Sequence, residues 1–96
     1  MGEVIRELEM PVDGHFMVRI YAARSNDRWH AWLESISLDH GHLSRSGIIR
    51  SADARDELRA WADKLGEEEL RRALEDAEIV PAKDIGRTPA GAAFGG

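Results

Sequence analysis

Apolar and polar positions alternate with a period of two through the first half of the chain and follow a helical period through the second. Four runs, over residues 4–10, 16–23, 28–36 and 43–49, alternate in the manner of strands. Between them stand Pro11-Val12-Asp13-Gly14, Ser25-Asn26-Asp27 and Asp39-His40-Gly41. Asp-Gly, Asn-Asp and His-Gly all accept the positive φ that tight hairpins need. The pattern therefore predicts a four-stranded antiparallel β-meander.

The central hairpin carries its own register. With Asn26 and Asp27 as the turn, Tyr21 falls opposite Trp32, Arg19 opposite Glu34, Ile20 opposite Leu33 and Ala22 opposite Ala31. Each such pair contributes roughly 0.2–1 kcal/mol, and a slip of one residue would lose all four together. For the flanking strands, a turn at Asp13-Gly14 predicts Arg6 beside Tyr21 and Leu8 beside Arg19. That register sends Glu7 and Glu9 toward the core side, and a three-residue loop would reverse the strand. A turn at His40-Gly41 predicts Arg45 beside Ile36 and Ile49 beside Trp32.

After residue 50 the period lengthens. Ser51 is placed to cap a helix over 52–65, with Ala54, Leu58, Trp61, Ala62 and Leu65 on one stripe and Gly66 beyond its end. A second helix is expected over 67–78, its first turn carrying Glu67, Glu68 and Glu69 at the positive end of the dipole, and Pro81 ends it. Residues 81–96, rich in glycine and alanine, read as a flexible tail. The fold class is α+β, a single domain over 1–80 with at least one helix packed on one sheet face.

Phe16, Val18, Ile20, Ala22, Ala31 and Leu33 form the face that the helix covers. The opposite face gathers Arg19, Tyr21, His30, Trp32 and, from the fourth strand, Arg45. Apolar surface of this extent is not left in water. The second helix folded back, a second copy of the chain or a foreign partner would each cover it.

Length and charge narrow the function. Ninety-six residues bury only roughly 60–65% of the unfolded surface, which leaves a thin core. The absence of cysteine excludes disulfides, thiol nucleophiles and thiolate zinc. The first residues carry acids where a signal peptide has bases, and no run reaches the ~18 apolar residues of a membrane span, so a cytoplasmic location is the expectation. Asp39-His40-Gly41-His42 offers at most part of a metal site, and neither a GxSxG elbow nor a phosphate loop occurs. No enzyme, metal or cofactor is expected.

Of the net charge of −5, the C-terminal half holds the larger share. Asp53, Asp56, Glu57, Asp63, Glu67, Glu68, Glu69, Glu75, Asp76 and Glu78 are interspersed with Arg55, Arg59, Lys64, Arg71 and Arg72. Glu67–Arg71 and Glu68–Arg72 have the favourable i, i+4 order of ordinary helix-surface pairs. The functional expectation is a non-enzymatic protein-interaction or regulatory protein of the small-inhibitor or antitoxin kind, dimeric or bound to another protein. It would act through the aromatic sheet face or the acidic helices. The alternative is single-stranded nucleic-acid binding, with bases stacked on Tyr21 and Trp32 and phosphates on Arg19 and Arg45. No membrane partner is expected.

Overall fold

A computed structural model describes residues 2–10, 16–37 and 41–89. Strand β1 (Glu3–Met10) pairs antiparallel with β2 (Phe16–Ser25), and β2 with β3 (Arg28–Ser37). The other side of β3 takes two short strands, β4 (Leu43–Arg45) near its end and β5 (Arg50–Ala52) near its start. Helices α1 (Arg55–Lys64) and α2 (Glu67–Glu75) follow, and β6 (Glu78–Val80) then returns to pair with β4. The architecture is α+β as expected, with six strands in place of four.

Asn26 and Asp27 adopt φ of 53° and 63°, the left-handed pair that a two-residue hairpin turn requires, and all four expected pairings of β2 with β3 are present. The first strand is corrected. Leu8 lies opposite Val18 and Glu7 opposite Arg19, because Met10 pairs with Phe16 and the connection spans 11–15. The expected turn at Asp13-Gly14 lies outside the described residues. This register turns Leu8 to the core and Glu7 away from it. A bulge between Val4 and Arg6 then lets Ile5 reach the core while Val4 pairs with Tyr21.

The fourth run is also corrected. Arg45 lies opposite Glu34, two positions from the expectation, and the strand breaks over residues 46–49. Ser46 bridges the break: its N–H donates to the Leu33 carbonyl at 2.9 Å, and its hydroxyl accepts the Leu33 N–H at 2.9 Å. Past the break, Ile48 packs beside Tyr21 and Trp32 while Ile49 turns to the main core, so Ile49 does not join Trp32.

Val18, Ile20, Ala22, Ala31 and Leu33 form the sheet side of that core, and Leu58, Ala62 and Leu70 the helix side. The first helix starts later than expected, with Ala54 as an N-cap that makes no side-chain hydrogen bond, since Ser51 belongs to β5. Trp61 sits half-buried at the margin of the core. At the other end of α1, the Arg6 guanidinium donates to the carbonyls of Ala62 and of Leu65, the latter at 2.8 Å. A cation thus meets the negative end of the helix dipole.

Candidate functional site

Tyr21 and Trp32, directly opposite in the hairpin, stack with ring centroids 5.6 Å apart and planes 11° from parallel. Next along the same face lies a row drawn from five strands. Glu7, Arg19, Glu34, Arg45 and Glu78 are successive cross-strand partners, alternating in charge from β1 to β6. Arg19 donates to the Glu7 carboxylate at 2.7 Å. That carboxylate, with the Tyr21 hydroxyl, holds the Arg19 pKa above its already high usual value.

This face is closed by the chain itself. After β6, a 3₁₀ turn (Ala82–Asp84) leads to Gly86, whose φ of +74° turns the backbone across the aromatic pair. The Gly86 N–H donates to Glu34 Oε2 at 2.8 Å, and its carbonyl accepts the Gly2 N–H at 2.7 Å. Trp32 Nε1–H donates to the same Glu34 oxygen at 3.2 Å. The two glycines are there because side chains do not fit. A Cβ on Gly2 would lie 2.6 Å from Trp32 Cη2, and one on Gly86 3.3 Å from Tyr21 Cε1 in a backbone conformation already unfavourable for an L-residue. Arg45 adds a hydrogen bond to the Arg87 carbonyl at 3.2 Å, and Pro89 is buried.

Residues 81–89 are therefore a docked strap where the composition suggested a tail; 90–96 lie outside the described residues. Neither helix covers the outer face, because Leu70 commits α2 to the same core as α1. The five residues singled out from the sequence share this face, but Trp32 is 0%, Tyr21 4% and His30 7% exposed. Only Arg19 and Arg45 keep access to solvent. Glu34, missed as a site residue, is the centre of the arrangement at 1% exposure, with Oε1 buried and unpartnered. Its pairing with Arg19 in the hairpin register was the available signal.

His30 Nδ1 and Ser51 Oγ are 2.7 Å apart. The distance suits a hydroxyl and a base, but the two residues are ordinary cross-strand partners of β3 and β5, and the contact ties the short strand to the sheet. Among the described residues no group of three potential metal ligands occurs. Asp39 and His40 lie outside them, and His42 is exposed.

Acidic side chains face solvent along the helices and beside them. All ten acidic residues of the 53–78 segment are exposed, against five basic ones, and the remaining acids and bases of the chain balance at eight each. The net charge of this segment thus equals that of the chain, −5: α1 itself is neutral, α2 carries −2, and Asp53, Asp76 and Glu78 outside the helices carry the remaining −3. The pairs Arg71–Glu67 and Arg72–Glu68, both at 3.8 Å and more than half exposed, neutralise it weakly. No helix of the described residues is long and apolar enough to cross a membrane. Compared with protein-family models, curated proteins and solved structures, the chain matches none.

Proposed function

We propose that the protein is a non-enzymatic interaction protein that presents the acidic outer surface of α2 and its C-terminal flank to a basic protein partner. The observation that carries this reading is the net charge of −3 over residues 67–76, whose five acids and two bases are all exposed. A one-signed surface steers an oppositely charged partner and sets association rate and specificity more than raw affinity. A regulatory or inhibitory role fits such a surface, since occlusion of a basic groove requires no chemistry of the occluding protein. The basis for a dimer or a nucleic-acid platform on Tyr21 and Trp32 is weakened by the strap, which occupies that face.

Titration with an oligo-arginine peptide, followed by amide chemical shifts, tests the assignment. Shifts should concentrate at Asp63, Glu67–Glu69, Glu75 and Asp76 and vanish at high salt. Equal shifts at Glu3, Glu7 and Glu9 would show that the peptide reads acidity in general, and the reading would fail. The quadruple change Glu68→Gln, Glu69→Gln, Glu75→Gln, Asp76→Asn should abolish the response and leave the unfolding midpoint within a few degrees.

A further inference from the structure

The row of alternating charge on the outer face ends in an acid at the edge of the sheet. From Glu78 on β6 it runs through Arg45, Glu34 and Arg19 to Glu7 on β1, and among the described residues no strand pairs with the far side of β1. At one end of the row β6 has three residues, and at the other β1 has eight. The longer edge offers a further strand more backbone to bond.

The central hairpin fixes which backbone groups face that edge. The residues flanking a two-residue turn, here Ser25 and Arg28, are a hydrogen-bonded pair, so the odd-numbered residues of β2 bond β3 and the even-numbered ones bond β1. The same alternation holds across β3, where the carbonyls of Ala31 and Leu33 point away from β2 and accept the N–H groups of Ile49 and Ser46. On β1, Arg6 opposite Ile20 and Leu8 opposite Val18 therefore direct their backbone groups to β2, and Glu7 and Glu9 turn theirs outward. The bulge between Val4 and Arg6 bounds this regular stretch on one side. Two N–H and two C=O groups thus face the open edge in the spacing of an antiparallel ladder.

The side chains decide what pairs there. Glu7 meets Arg19 on its inner side and keeps its own side chain 48% exposed, while Glu9 is exposed with no base within 4 Å among the described residues. Arg6 and Leu8 take the other face, where Arg6 reaches the end of α1 and Leu8 packs on the core. A second copy is a poor occupant: the antiparallel registers that join two β1 edges over residues 6–9 set Glu7 against Glu7, Glu7 against Glu9, Glu9 against Glu9 or Arg6 against Arg6, and like charges directly opposite destabilise a pairing. We infer that the open edge of β1 takes an extended segment of a protein partner as an added antiparallel strand, with lysine or arginine opposite Glu7 and opposite Glu9 and an apolar residue between them, opposite Leu8. The bases continue the alternating row by one strand, and the apolar residue adds to the cover of half-buried Leu8. A uniformly basic chain does not suit the slot, since it sets a cation against Arg6 as well. The inference does not rest on the acidic surface of α2.

The end-blocked peptide Thr-Lys-Val-Lys-Thr, titrated into the full chain and read by amide chemical shifts and hydrogen exchange, tests the edge. At an occupancy of about 90%, exchange at the Glu7 and Glu9 amides should slow about tenfold, because only the free tenth exchanges, while the Arg6 and Leu8 amides, already bonded to β2, change little. Glu9→Lys turns one exposed attraction into a repulsion of similar size and should weaken binding about fivefold. The same peptide N-methylated at both lysines keeps its charges and loses the two backbone donors that face β1, and should bind at least tenfold more weakly, on the order of the loss of two hydrogen bonds. The quadruple variant of α2 and its flank, Glu68→Gln, Glu69→Gln, Glu75→Gln, Asp76→Asn, should bind the peptide as the parent chain does. The inference is overturned by absence of binding at low salt, by an N-methylated peptide that binds as tightly as the unmethylated one, or by loss of the peptide in the quadruple variant. It is equally overturned if exchange at Glu7 and Glu9 slows with protein concentration alone, which would give the edge to a second copy.

Discussion

Replacing Glu34 by leucine should destabilise the protein by about 2–4 kcal/mol, while Glu34→Gln should cost about 1 kcal/mol or less. In the native fold Glu34 Oε2 accepts the N–H groups of Gly86 and of the Trp32 indole, and the residue is 1% exposed. Leucine fills similar volume and accepts neither. Each buried donor left unpaired costs roughly 1–3 kcal/mol, which sets an upper range of about 2–6. Gly86 can recover water by undocking the strap, whereas the Trp32 indole is fully buried, so the lower part of the range applies. Part of the loss is offset because leucine also removes the unpartnered Oε1 from the interior. Glutamine keeps an acceptor at the same place and surrenders only the charge. Urea unfolding followed by tryptophan emission measures both variants, and hydrogen exchange at the Gly86 amide reports the strap separately. A Glu34→Leu protein as stable as the parent, with Gly86 still protected, would refute the assignment of Glu34 as the anchor.

Trp32→Ala removes a fully buried indole and should cost about 3–5 kcal/mol in the same assay. Gly86→Ala should cost about 1–2 kcal/mol through its positive φ, and thermal unfolding would register a lower midpoint. Deleting residues 81–96 should leave a chain that binds the dye ANS and has lost stability, because the Tyr21–Trp32 pair would face water; an unchanged midpoint with no dye binding would show that the strap contributes nothing.

The two-stranded centre of the fold was legible in the sequence because its turn and its pairs agree. Asn26 and Asp27 tolerate positive φ, and Tyr21–Trp32, Arg19–Glu34 and Ile20–Leu33 are complementary in one register only. The first strand misled because its register depends on the length of the connection over 11–15, and because the bulge at Ile5 gives no sign in an alternating pattern. The fourth broke where Ser46 replaced a backbone partner by its hydroxyl, a substitution that serine offers at many positions and uses at few. The strap was hidden by composition. Gly86 and Pro89 are residues of flexible segments on average, yet here the missing side chain of Gly86 lets backbone rest on the Tyr21 ring. The sequence implies a cover for the outer face, from the second helix, a second copy or a foreign partner, whereas the segment around Gly86 lies across it.

The hydrogen bond between Gly2 and Gly86 has a consequence for the order in which the molecule assembles. Both residues are needed to seal Trp32, and they come from nearly opposite ends of the described chain. The β2–β3 hairpin, whose partners are near in sequence, is able to form early, whereas the seal closes a loop almost as long as the chain and pays the corresponding entropy last. During synthesis on the ribosome the aromatic pair stays open until the segment around Gly86 has emerged. Any factor that retains nascent chains by their exposed aromatic surface has that interval in which to act, and a strand edge from another chain has the same interval in which to mispair.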